Sequence, residues 1–162
     1  MVTKLSTTVV QTNKNQTPVF TGINVGEDNL TVYDEGTWTP VVKIGSTDIT
    51  TAGSTYGKFT RIGNVVHLTC RAYFNRGTNS GTLSIEGLPV ASASGTVCAL
   101  AIRVDNNIDT TPPLGASVND ASSVIALYVQ PDSTSGTLTG MSDSQVPAST
   151  AVNMTITGFY FA

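Results

Sequence analysis

The sequence predicts an all-β fold, a jelly-roll-like antiparallel β-sandwich over residues 33–162, and three observations carry that prediction. From Thr37 onward, short β-branched runs alternate with Gly, Asn, Ser and Pro, with no i, i+3, i+4, i+7 apolar pattern among them. Ser and Thr supply roughly a quarter of the chain, which suits strands with solvated outer faces better than helices. Of the 162 residues 40% are hydrophobic and 12% charged, enough apolar side chain for a core and too little charge for a disordered chain.

Residues 1–32 mix short apolar pieces such as Val9-Val10, Val19-Phe20 and Ile23 with Asn, Thr and Gln, and hold neither a helical nor a sustained strand period. They are expected to form an extended N-terminal arm. Two readings stay open for it: a flexible arm, or a segment packed along partner subunits and joined to a longer shaft. The first strand of the domain, 38–43, is anchored by Trp38 between Gly36 and Pro40. Strands 57–62 and 64–74 form a hairpin through Gly63-Asn64, a pair suited to a two-residue turn. In the second of these, Val66, Leu68, Cys70, Ala72 and Phe74 share the core face, and Val65, His67, Thr69, Arg71 and Tyr73 share the other. A strand at 82–85 ends before Gly87-Leu88-Pro89, because proline cannot continue a ladder.

Strands 96–104 and 123–130 are apolar on both faces. In the first, Cys98, Leu100, Ile102 and Val104 point inward while Val97, Ala99 and Ala101 form a second apolar row. In the second, Ile125, Leu127 and Val129 oppose Val124, Ala126 and Tyr128. Strands apolar on both faces are normally covered on both, so the second cover is expected to be another subunit. After a short strand at 137–139, the chain closes with 152–161 and the ending Gly158-Phe159-Tyr160-Phe161-Ala162. Leaving such aromatics in water forfeits roughly 1.5–3 kcal/mol per side chain, so this end is expected to be a central strand or an interface. The candidate subunit-contact residues are therefore Val97, Ala99, Ala101, Val124, Ala126, Phe159 and Phe161.

A net charge of −3 without a cluster of Lys or Arg argues against nucleic acid and against anionic lipid surfaces. No apolar run approaches the ~20 residues of a membrane helix, and Met1-Val2-Thr3-Lys4 does not open a signal peptide. Two cysteines are too few for a disulfide scaffold. Cys70 and Cys98 are in phase with the core faces and read best as free thiols, with a pair between neighbouring strands as the alternative.

Catalytic and metal chemistry finds little support. His67 is the only histidine, and Val65, Thr69 and Arg71 in its row give it no ligand or acid partner. Asp105-Asn106-Asn107-Ile108-Asp109 begins like a calcium loop but has Thr110 where glycine is required and Ala116 where the bidentate glutamate belongs. Asp105, Asp109, Asp120, Asp132 and Asp143 are candidate glycosidase acids, yet each lies in loop-like sequence. No cofactor, metal or catalytic residue is expected. Sugar binding needs only an aromatic face and planar hydrogen-bonding groups. Tyr73, Asn75, Arg76, Asp105, Asn106, Asn107, Asp109, Asn119, Asp120 and Tyr128 supply that inventory.

Three motifs in 33–89 carry a family likeness: Tyr33-Asp34-Glu35-Gly36-Thr37-Trp38-Thr39-Pro40, then Tyr56-Gly57-Lys58-Phe59-Thr60-Arg61-Ile62-Gly63-Asn64, then Leu83-Ser84-Ile85-Glu86-Gly87-Leu88-Pro89. In this order and spacing the chain resembles the distal β-domain of tailed-bacteriophage tail fibres, tailspikes and tail-needle knobs. The resemblance implies a homotrimer at the end of a virion appendage, made in the host cytoplasm and extracellular after release. Its implied partners are the rest of the appendage and a host cell-surface polysaccharide or lipopolysaccharide. A domain that only trimerises and caps the appendage is the alternative, and a small glycan-processing enzyme a second one.

Overall fold

The computed structural model describes residues 23–25, 28–30, 32–51, 53–106, 108, 111–130 and 136–162. Among these, β1 (Ile23–Val25) and β2 (Asp28–Leu30) pair antiparallel as a separate two-stranded sheet. All other strands lie on one curled antiparallel path. Its first layer runs β3 (Tyr33–Trp38), β6 (Tyr56–Ile62), β7 (Val65–Phe74), β13 (Val152–Phe161) and β9 (Cys98–Asn106). The second continues from β9 through β10 (Gly115–Val118), β11 (Val124–Val129), β8 (Leu83–Glu86) and β4 (Val41–Ile44) to β5 (Thr47–Asp48), with β12 (Thr139–Gly140) also on β11. A 3-10 turn at Asp143–Gln145 is the one helical element among the described residues.

Two strands turn the corners. Residues 101–106 of β9 pair with β13, while residues 98–100 pair with β10. At the opposite edge β3 passes into β4 through Thr39 and Pro40 alone, so the expected strand 38–43 is split where proline withholds its N–H. The result is a half-barrel curled around one core.

The all-β antiparallel class agrees with the sequence, and the strands form a curled half-barrel sheet. β4–β5, β6–β7, β9–β10 and β10–β11 are neighbours both in sequence and in the sheet, whereas β3–β6, β7–β13, β13–β9, β11–β8 and β8–β4 join strands that are not consecutive. Such non-consecutive pairings carry loop-closure entropy that local turns avoid, and a count of strands in the sequence does not reveal them. The strand Gly115–Val118 was not legible because Gly-Ala-Ser-Val lacks bulk, yet Ala116, Ser117 and Val118 are buried between β9 and β11.

The core follows strand alternation. Phe74, Ile85, Ile125, Leu127, Met154, Ile156 and Tyr160 are fully buried from the two layers. Val152–Phe161 is indeed a central strand, between β7 and β9. Tyr160 turns its hydroxyl to the Val90 carbonyl at 2.7 Å, and burial pushes its pKa up to about 12. Gly63 takes φ +62° at the first position of the β6–β7 turn, the type II′ pattern. Trp38 lies directly over Gly57, where any Cβ would overlap the indole. Its Nε1 is buried without a hydrogen-bond partner among the described residues.

Cys70 and Cys98 are free, the first buried and the second half-buried. Burial pushes the Cys70 thiol up to about 12, so its reactive thiolate is scarce near neutrality. A thiol reagent at neutral pH is expected to leave Cys70 unmodified in the folded protein and to label it once urea unfolds the chain. Mass spectrometry of the labelled peptides checks this, and rapid native labelling at Cys70 would contradict the core assignment.

Candidate functional site

The outer face of the first layer is built by the alternation of β7. Its burial pattern sends His67, Thr69, Arg71 and Tyr73 outward over a buried row from Val66 to Phe74. Register with β6, β13 and β3 sorts this face into rows. At one end Tyr33, Ile62, Val65 and Phe161 stand side by side, and Tyr33 and Ile62 are 63% and 44% exposed. The next row is Glu35, Thr60, His67 and Phe159. Lys58, Thr69 and Thr157 follow, then Tyr56, Arg71, Thr155 and Arg103, and last Tyr73 with Asn153. One continuous surface therefore grades from apolar to polar along the strands.

An open groove of about 540 Å³ crosses the middle of this face, lined by Glu35, Lys58, Thr60, His67, Thr69 and Phe159 among others. The His67 and Phe159 rings lie 5.9 Å apart and tilted, and Phe159 meets Phe161 edge-on at 6.1 Å. Tyr33 donates its hydroxyl to Glu35 at 2.8 Å, and that bond raises the phenol's pKa. The lone histidine thus sits against an aromatic ring and Thr60, and no metal-holding cluster of His, Cys, Asp or Glu occurs among the described residues.

At the polar end Arg71 Nε donates to Asn153 Oδ1 at 2.8 Å, and Asn153 is only 8% exposed. Arg103 pairs with Asp105 at 2.8 Å, where the register of β9 against β13 shifts by a bulge. Thr55 Oγ1 bonds both the N–H and the carbonyl of Tyr73, at 3.0 and 3.1 Å, which fixes the strand end that carries this ring.

The sequence-derived sugar-binding residues fall in three places. Tyr73, Asp105 and the backbone of Asn106 belong to the polar end just described; Asn107 and Asp109 lie outside the described residues. Asn75 and Arg76 leave the face in the loop after β7. There Asn75 Oδ1 accepts the Gly77 N–H, and Arg76 is held by the Val146 and Asn79 carbonyls and by Asp143 at 3.8 Å. Asn119, Asp120 and Tyr128 sit on the second layer. Asn119 accepts from Ser117 at 2.7 Å and donates to the Tyr128 hydroxyl at 3.3 Å, while Asp120 caps the Gly95 N–H. Tyr56, Lys58, Arg103, Asn153 and Thr155 were missed as site residues, because only cross-strand register brings them beside Arg71 and Tyr73.

The candidate subunit contacts are spread over both layers, which meet along β9. Val97 (69% exposed) and Ala99 are exposed, and Val124 and Ala126 half-buried, on the outer side of the second layer, whereas exposed Ala101 pairs with Thr157 and extends the Lys58-Thr69-Thr157 row of the first layer. Ser117 stands between Ala99 and Ala126, and Ser84 beyond them, so the row is made of small side chains, with Asn119 and Tyr128 reaching over Ser117. Lys43 edges it, bound to Glu86 at 3.0 Å and Asp48 at 3.5 Å; the Glu86 hydrogen bond raises its pKa. Phe159 (49% exposed) and half-buried Phe161 lie instead on the first layer.

No protein-family model and no curated protein matches the sequence. Among solved structures the fold is similar to that in the crystal structure of Dettilon tailspike protein (gp208), with a TM-score of 0.60 and 25% sequence identity. The match covers 80% of this chain, which spans 24% of the length of that one. The chain is thus related in fold to a portion of a phage tailspike.

Proposed function

We propose that this chain is a non-enzymatic distal domain of a phage tail appendage, a homotrimer that contributes to host attachment by binding surface polysaccharide or lipopolysaccharide. The observation that carries the reading is the likeness to a tailspike over most of the chain. In this reading it is a virion component, joined through residues 1–32 to the rest of the appendage.

Two features support a ring of three. A cyclic trimer joins unlike surfaces head to tail, so each chain needs two different patches. The Val97-Ala99-Val124-Ala126 surface and the Phe159-Phe161 end of the other layer are such a pair. Three copies then multiply weak contacts by avidity, which allows a shallow open site to serve. The described candidate acids support binding rather than catalysis: Asp105 is paired with Arg103, Asp120 caps Gly95, and Asp143 accepts the Gly81 N–H.

An array of bacterial capsular and lipopolysaccharide glycans is expected to capture the protein on at least one saccharide, without shortened or deacetylated products. Failure on every glycan would remove the receptor reading. The alternative it would leave is a trimerising cap, which the row of small Ala and Ser side chains favours.

A further inference from the structure

Resting on that receptor reading, we infer that the ligand is an acidic saccharide, one carrying carboxylate or phosphate groups, held at the polar end of the first layer with Arg71 as the anion contact. In a chain of net charge −3, Lys58, Arg71 and Arg103 converge on this one face. Arg71 stands opposite Tyr56 on one side and Thr155 on the other, with Arg103 beyond Thr155 and Lys58 on the diagonal. Strands spaced ~4.8 Å apart put Arg71 and Arg103 about 10 Å apart.

The acids of the face are engaged. Asp105 is bound to Arg103, and Glu35 accepts the Tyr33 hydroxyl. Arg71 makes no ion pair among the described residues; its Nε donates to the buried amide of Asn153. A guanidinium steered through Nε by a buried amide keeps its two Nη groups for a planar carboxylate or a phosphate, in the forked geometry that favours arginine over lysine. Tyr56, 49% exposed, and Tyr73 supply ring faces for a pyranose beside that charge. Lys58 and Arg71, with Arg103 partly offset by Asp105, are too few to follow a nucleic-acid backbone but sufficient for one charged sugar unit.

Calorimetric titration of the full chain with trigalacturonate, glucose 1-phosphate and neutral maltotriose tests the inference. At least one charged probe is expected to bind roughly tenfold or more tightly than maltotriose, and which one binds identifies carboxylate or phosphate as the recognised group. Raising sodium chloride from about 0.05 to about 0.5 M should weaken that binding. Arg71→Gln should lose roughly tenfold or more, and Arg71→Lys should recover part of it. Should Arg71→Gln not fold, Arg103→Gln, on a side chain 81% exposed, is expected to weaken binding in the same direction. Equal binding of maltotriose, or unchanged affinity in the folded arginine variants, would overturn the inference. A neutral glycan captured on the array at undiminished strength by Arg71→Gln would do so while leaving the receptor reading intact, whereas an empty array would end both.

Discussion

Replacing Phe74 by alanine is expected to cost the fold about 3–5 kcal/mol, the range for removing a fully buried aromatic ring. Phe74 is wholly buried at the end of β7, opposite Val152 and bridged to Thr51. It lies directly beneath the strand end that carries Tyr73. Since domains are stable by only about 5–15 kcal/mol, the variant should unfold at a much lower urea concentration. Trp38→Phe offers the contrast. The indole is equally a core ring, but its Nε1 is buried without a partner among the described residues, a defect worth about 1–3 kcal/mol. Removing that donor offsets the lost contact area, so the net cost should be under about 1 kcal/mol. Urea melts followed by circular dichroism compare the two. A Phe74→Ala loss no larger than that of Trp38→Phe would contradict the core described here.

Ala126→Asp is expected to break the proposed trimer while leaving the chain folded. Within one chain Ala126 is half-buried on the outer side between Ser117 and Ser84, and a carboxylate extending past its Cβ reaches outward to solvent. Inside a subunit contact the same carboxylate would be stripped of water and unpaired, a penalty of several kcal/mol. Losing threefold attachment should then reduce apparent affinity for a multivalent polysaccharide by roughly a hundredfold or more. Light scattering reports the mass and surface plasmon resonance the affinity. A variant with the parent's mass and avidity would remove Ala126 from the contact.

The strands were legible wherever a period of two was unbroken. Residues 64–74 alternate strictly, and their inner and outer rows agree with the burial of β7. The turn at Gly63-Asn64 was equally plain, because few residue pairs fit so short a loop. Topology was less accessible: β9 changes partners at its middle and β3 gives way to β4 at Pro40, and neither corner leaves a hydrophobic signature. The polar end of the outer face was half visible. Tyr73 and Asp105 could be named from their types, while Lys58, Arg103 and Asn153 gain meaning only from the register of four strands. Arg76 shows the converse, since a residue type suited to sugar hydroxyls is here engaged by two carbonyls and Asp143.

The two outward apolar surfaces, one on each layer, are the physical ground for the whole account. Sedimentation equilibrium of the unaltered chain at micromolar concentration tests them most directly. A single species of three times 16.9 kDa is the predicted result. A stable 16.9 kDa monomer, with Val97 and Phe159 left in water, would contradict it.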